Sequence, residues 1–210
     1  MLGSKAFEPN RDIDSPNRNI APISSEISDS EKLVVGGCQL SELAKKYGTP
    51  LYVIDELSLR IACKTYINSL KKYYPGDSLP LFASKANSSL AICALISSEG
   101  FGLDAVSEGE LLTALKGGVK GEKIVFHGNN KSNDELNFAY KNNVTIVLDN
   151  YHDIELLKKI ASDSKQAKLM LRFTPGIECH THEYIRTGHL DSKFGFDPDE
   201  VKSVLEELKR

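Results

Sequence analysis

From about Leu33 onward, short apolar runs alternate with amphipathic stretches, a pattern that predicts strands and helices in turn. Strand-like runs fall at Leu79–Ser84, Gly102–Val106, Ile124–His127, Thr145–Leu148 and Lys168–Phe173. Helix-like segments lie between them, near Ser88–Ser98, Glu108–Lys116, Asn133–Lys141 and His152–Ser162, and one more at Pro198–Leu208 closes the chain. The apolar runs are nearly continuous, as expected of strands buried on both faces of a parallel sheet and joined by helical crossovers. Upstream, a short helix is predicted over Ser41–Tyr47, with Ser41 as its N-cap and Gly48 at its end. Leu51–Asp55 reads as a strand, and Glu56–Tyr73 as a helix stopped by Pro75-Gly76.

Met1 to about Ser30 is rich in Ser, Pro, Asn and Asp and lacks apolar periodicity, so residues 1–30 are expected to form a flexible arm ahead of one α/β region, 31–210. No repeat of solenoid period is present. Two architectures fit the pattern, an open doubly wound sheet and a (β/α)8 barrel. No G-x-G-x-x-G follows the first strand, so the usual dinucleotide fingerprint is absent. A barrel needs eight strands, and about five are counted here. Read as a barrel, the chain is expected to be partial, a fragment that stops before closing its sheet.

Composition narrows the function classes. The 210 residues are 40% hydrophobic and 26% charged, which suits a soluble globular protein rather than a disordered one. A formal net charge of −3 supplies neither the basic footprint that nucleic acid needs nor a polybasic membrane patch. No apolar run approaches the ~18 residues of a membrane span, and the N-terminus lacks a secretory h-region. Cys38, Cys63, Cys93 and Cys179 are widely spaced with no C-x-x-C pair, as expected of reduced thiols in a cytoplasmic protein.

The candidate chemistry gathers where predicted strands end. Lys85, in LFASKAN, follows the first run of the alternating region. Barrel enzymes keep reactive groups at such C-terminal ends. A lysine between small residues there can be desolvated, which favours the neutral amine that attacks an aldehyde. The plainer alternative is a strand-end lysine reaching solvent. In FGLDAVSEGEL, Asp104 and Glu110 flank a strand-to-helix turn, where acids can orient a cation or carry protons. Ser107 is the expected cap of the next helix, with Glu108 favouring its first turn. His127 ends the next run ahead of Gly128, and Ser132 or Asn133 is expected to cap the helix that follows. Arg172 interrupts the apolar run LMLRFTPG, and a buried arginine needs a partner, either Asp104 or a ligand anion. The long polar segment IECHTHEYIRTGHLDSKFGF fits a functional loop. His180, His182 and Glu183 within it match no zinc-site spacing, so no metal is expected.

Taken in order, LFASKAN, GFGLDAVSEGEL, HGNNKS, LMLRFTPGIE and THEYIRTGHLDSKFGF resemble the diaminopimelate decarboxylases, a branch of the alanine-racemase-like, fold-type III enzymes that use pyridoxal 5'-phosphate. The resemblance runs from about Leu33 to the end. It implies a partial (β/α)8 TIM-type barrel with the family's C-terminal β-domain missing. Lys85 would be the lysine that bonds to the cofactor, with Asp104 and Glu110 as acids near it and Arg172 close to both. His127 and Asn87 would support the cofactor, and Ser192 and Lys193 would lie at the mouth of the site. The activity implied for the full-length protein is decarboxylation of meso-2,6-diaminopimelate to L-lysine by a cytoplasmic homodimer. The partners implied are a small amino-acid substrate, with no nucleic acid and no membrane. The family's phosphate-binding glycine loop and the acid facing the pyridine nitrogen have no match here, so the fragment alone is expected to be inactive. A related decarboxylase acting on ornithine, arginine or carboxynorspermidine, or an inactive shortened homologue, is the competing reading.

Overall fold

A computed structural model describes residues 20–161, 166–175 and 194–208. The chain divides into two compact units, Met1–Gly76 and Asp77–Arg210.

The first unit contains a small antiparallel sheet in the order β1 (Glu26–Ile27), β2 (Leu33–Val35) and β3 (Cys38–Gln39). It also contains two helices, α1 (Leu40–Tyr47) and α2 (Glu56–Tyr73). β1 lies within residues assigned to the arm on composition, which two-residue strands scarcely alter. Helix α1 begins one residue before the expected start. Its N-cap is Gln39, which makes no side-chain capping bond, and Gly48 closes the helix at φ 83°. Asp55 caps α2 by accepting from the Ser58 amide at 2.9 Å, and it also accepts from the Ser24 hydroxyl at 2.7 Å. Burial alone would raise the Asp55 pKa, but the hydrogen bonds from Ser58 and Ser24 outweigh it and hold the carboxyl below its ordinary value. Leu51–Asp55 does not form the predicted strand. Tyr52 is 98% exposed, and the segment joins no ladder among the described residues. Strand propensity expresses fit to a pleated, half-buried surface, which this segment lacks.

The second unit is built on a five-stranded parallel sheet, β4 (Leu81–Ala83), β5 (Gly102–Ala105), β6 (Ile124–Phe126), β7 (Thr145–Leu148) and β8 (Leu169–Leu171). The spatial order β4-β5-β6-β7-β8 follows the sequence. That order decides between the two architectures. A doubly wound sheet reverses direction at a switch point, whereas a barrel adds each strand beside the last. The connecting helices are α3 (Leu90–Ser98), α4 (Glu108–Lys116), α5 (Asn133–Lys141) and α6 (Tyr151–Ile160), with α7 (Val201–Leu208) at the end. Successive helices from α3 to α6 pack on one another.

Local sequence explains the helix starts. The Ser107 side chain accepts from the Glu110 amide at the head of α4. Ser132 and Glu135 form a reciprocal capping box at the head of α5, satisfying two otherwise orphaned amides. The core lies between sheet and helices: Leu103, Ala105, Ile124, Phe126, Ile146 and Leu148 face Leu111, Leu136, Ala139 and Ile154. β4 and β8 flank the sheet and are less buried, with Met170 52% exposed. Beside β8, Phe173 and Phe196 form a parallel bridge, so residues around Phe196 take up a sixth position next to the sheet.

Candidate active site

In a parallel sheet all the C-terminal strand ends lie along one edge. Here each strand delivers polar side chains at that edge, where its apolar run gives out. Ser84 and Lys85 follow β4, and Asp104 is the penultimate residue of β5. His127 follows β6, Asp149 follows β7, and Arg172 follows β8. The register aligns the first of them, pairing Ala83 with Asp104 and Asp104 with Val125.

Lys85 sits in a single 3-10 turn, Ser84–Ala86, where Ser84 takes the buried position and Lys85 is exposed. The described residues therefore do not desolvate the Lys85 amine as its small neighbours had suggested. Among them, no side chain forms an ion pair or hydrogen bond with it. The Ser84 hydroxyl lies 2.6 Å from Glu110 Oε2 and 2.8 Å from the Asp104 carbonyl oxygen, and its single proton serves one of them at a time. Glu110 Oε2 also accepts from the Val106 amide at 2.8 Å. Glu110 thus ties the end of β5 to the turn that carries Lys85. Asn87 Oδ1 accepts from the Ser89 amide at 3.0 Å and ends that turn ahead of α3.

Asp104 Oδ1 lies 3.3 Å from His127 Nδ1, within ion-pair distance, but it has no aligned hydrogen bond. The His127 amide donates to the Ala105 carbonyl at 2.8 Å, so its backbone continues the ladder between β5 and β6. Burial pushes the Asp104 pKa above its ordinary 3.8; His127, Lys85 and Arg172 pull it down, and Glu110 pushes it up. The five groups chosen from the sequence therefore share one electrostatic site centred on Asp104.

The raised pKa means that folded Asp104 holds its proton more tightly than the unfolded chain does. Its contribution favours folding below about pH 4 and is lost as the pH rises through the folded value. Asp104→Asn is therefore expected to raise the melting temperature relative to the parent at about pH 7. The gain should shrink towards about pH 4. Thermal denaturation across that range checks it, and a variant less stable than the parent at neutral pH contradicts it.

Arg172 finds its partner in Asp149, not in Asp104. Its Nη1 donates to Asp149 Oδ1 at 3.1 Å, and its guanidinium lies 4.3 Å from the centroid of the Phe194 ring. Asp149 and Phe194 were both missed in the sequence. The strand-end rule that selected Lys85 and His127 also selects Asp149, the first polar residue after β7. Phe194 is reached only through a long-range bridge. Its neighbours Ser192 and Lys193, like His180, His182 and Glu183, lie outside the described residues. No cluster of three His, Cys, Asp or Glu able to hold a metal occurs among the described residues.

Known proteins resemble this chain in sequence and in fold. The family model "Pyridoxal-dependent decarboxylase, pyridoxal binding domain" matches residues 60–210. A diaminopimelate decarboxylase of Synechocystis sp. is 49% identical over 200 residues, covering 91% of this chain and 43% of that relative. The Bacillus subtilis diaminopimelate decarboxylase is 45% identical over 170 residues, covering 79% and 38%. A crystal structure of the diaminopimelate decarboxylase from M. jannaschi superposes with a TM-score of 0.78 at 33% identity, covering 89% of this chain and 44% of that one. The chain spans about two-fifths of the length of the curated relatives it matches. The strand-end residues fit one side of a pyridoxal phosphate site. Lys85 offers an exposed amine to an aldehyde, the buried Asp104 Oδ1 has no aligned partner, and His127 Nδ1 lies 3.3 Å from it. Fold and family match agree: this chain belongs to the pyridoxal-dependent decarboxylases, with residues 60–210 matching their pyridoxal-binding domain.

Proposed function

We propose that the protein carrying this chain decarboxylates meso-2,6-diaminopimelate to L-lysine. The observation that carries the reading is the row of Lys85, Asp104, His127, Asp149 and Arg172 along the C-terminal edge of one parallel sheet. The substrate is supported by the names of the relatives at 45–49% identity, which are diaminopimelate decarboxylases.

Bound pyridoxal phosphate supplies an electron sink that accepts the electron pair left when carbon dioxide departs. The chain's own residues do the rest. Lys85 would hold the cofactor through its amine. Ser84 and Glu110 fix the turn on which Lys85 stands. Asp104, whose pKa burial raises, lies 3.3 Å from His127, which places a carboxyl and an imidazole at the strand-end edge that carries Lys85, the residue types that serve as general acid and base. Arg172, braced by Asp149, places a fixed positive charge at the same edge.

A homodimer in the cytoplasm completes the reading, and light scattering of the purified protein checks the dimer. Carbon dioxide release from meso-2,6-diaminopimelate, ornithine, arginine and lysine tests the substrate. A site built to pair polar groups of one substrate rejects analogues lacking them by up to ~10⁴-fold, so kcat/KM should favour diaminopimelate by at least about 100-fold. Preference for ornithine or arginine contradicts the substrate but leaves the reaction standing.

A further inference from the structure

Lys131 belongs to the loop between β6 and α5, in the polar run Asn129-Asn130-Lys131. It is not solvated. Its side chain is 2% exposed and pairs with Asp153, 1% exposed, at 2.7 Å. Replacing such a buried pair with apolar side chains is often neutral or stabilising, so stability alone does not explain its presence. Both ends of the pair connect to the strand-end row. The Lys131 ammonium also donates to the carbonyl of Gly128, the residue after His127. Asp153 Oδ2 accepts from the Asp149 amide at 2.9 Å, and Asp149 in turn receives Arg172. A second tie joins the same two loops, from Asn150 Nδ2 to the Asn129 carbonyl at 3.2 Å.

We propose that Lys131 is a positioning residue: paired with Asp153, it locks the loops after β6 and β7 together. That lock sets His127 against Asp104 and Asp149 against Arg172. Its kinetic consequence rests on the decarboxylase reading; the positioning itself does not.

The test is Lys131→Met combined with Asp153→Leu, which removes both charges and keeps most of the volume. Displacing groups by an ångström costs up to ~100-fold in rate, so kcat is expected to fall about 10- to 100-fold with KM changed less than about threefold. Hydrogen exchange in the cofactor-free protein supplies the second readout. The amides of His127 and Arg172, bonded to the carbonyls of Ala105 and Leu148, should exchange at least about tenfold faster. The amide of Ile146, bonded to the Lys168 carbonyl inside the sheet, should not change. A folded double variant with parental kcat and parental exchange at His127 and Arg172 overturns the proposal. So does faster exchange throughout the sheet with kcat retained per folded molecule, which marks a merely structural pair. If the double variant does not fold, Lys131→Arg decides, since it keeps the charge and displaces the head group. Loosened His127 and Arg172 amides in K131R support the lock, and parental amides overturn it. If the full-length parent protein itself releases no carbon dioxide, the decarboxylase reading fails, and exchange alone then decides the role of Lys131.

Discussion

Replacing Lys85 with alanine is expected to reduce kcat by on the order of 10³-fold or more, as loss of a covalent catalytic group does, and to abolish covalent attachment of pyridoxal phosphate. Lys85 stands at the end of β4, in a turn anchored by buried Ser84, within electrostatic reach of Asp104. The same exposure that leaves its amine accessible makes the substitution harmless to folding. Exposed side chains without partners contribute within roughly 0.5 kcal/mol, so the variant's thermal midpoint should match the parent's. Lys116→Ala, on the exposed last turn of α4, is the matched control and should retain full activity. Activity of Lys85→Ala within about tenfold of the parent would remove Lys85 from the centre of the mechanism.

Phe126→Ala is expected to have the largest effect on stability, a loss of roughly 3–5 kcal/mol by urea unfolding. Phe126 is the last residue of β6 and is fully buried between the sheet and its helices. Truncating it forfeits the transfer free energy of the ring and leaves a cavity that a parallel sheet, pinned on both sides by β5 and β7, fills poorly. The effect bears on the site as well as the core. His127 is the next residue, and the Lys131 ammonium lies 6.0 Å from the Phe126 ring centroid. A loss below about 1 kcal/mol would mean that the core is not organised around this strand.

Much of this architecture is legible in the chain because burial and capping leave local marks. Thr145–Leu148, Glu56–Tyr73, Glu108–Lys116 and Asn133–Lys141 have the bounds read from the sequence. A central parallel strand must be apolar on both faces, and Ser107 and Ser132 announce helix starts through their capping side chains. The strand-end positions of Lys85, Asp104, His127 and Arg172 follow from the same runs. What was not legible depends on partners distant in sequence. β1 and β3 are two residues long, too short to show a period. Leu51–Asp55 has the composition of a strand, but a ladder needs a neighbour. The Arg172–Asp149 pair spans 23 residues, and nothing in NNKS marks Lys131 as the buried cation facing Asp153. Glu110 carried the right residue type, but its bonds to Ser84 and Val106 become visible only when β4 and β5 lie side by side.

The central claim is that Lys85 holds the cofactor, and covalent trapping tests it most directly. The protein is incubated with pyridoxal phosphate, reduced with borohydride to fix any lysine–cofactor linkage, digested and mapped by mass spectrometry. The account predicts one dominant phosphopyridoxyl label, on Lys85, lost in Lys85→Ala. A dominant label on another lysine, or labelling spread over exposed lysines and unchanged in Lys85→Ala, would contradict it.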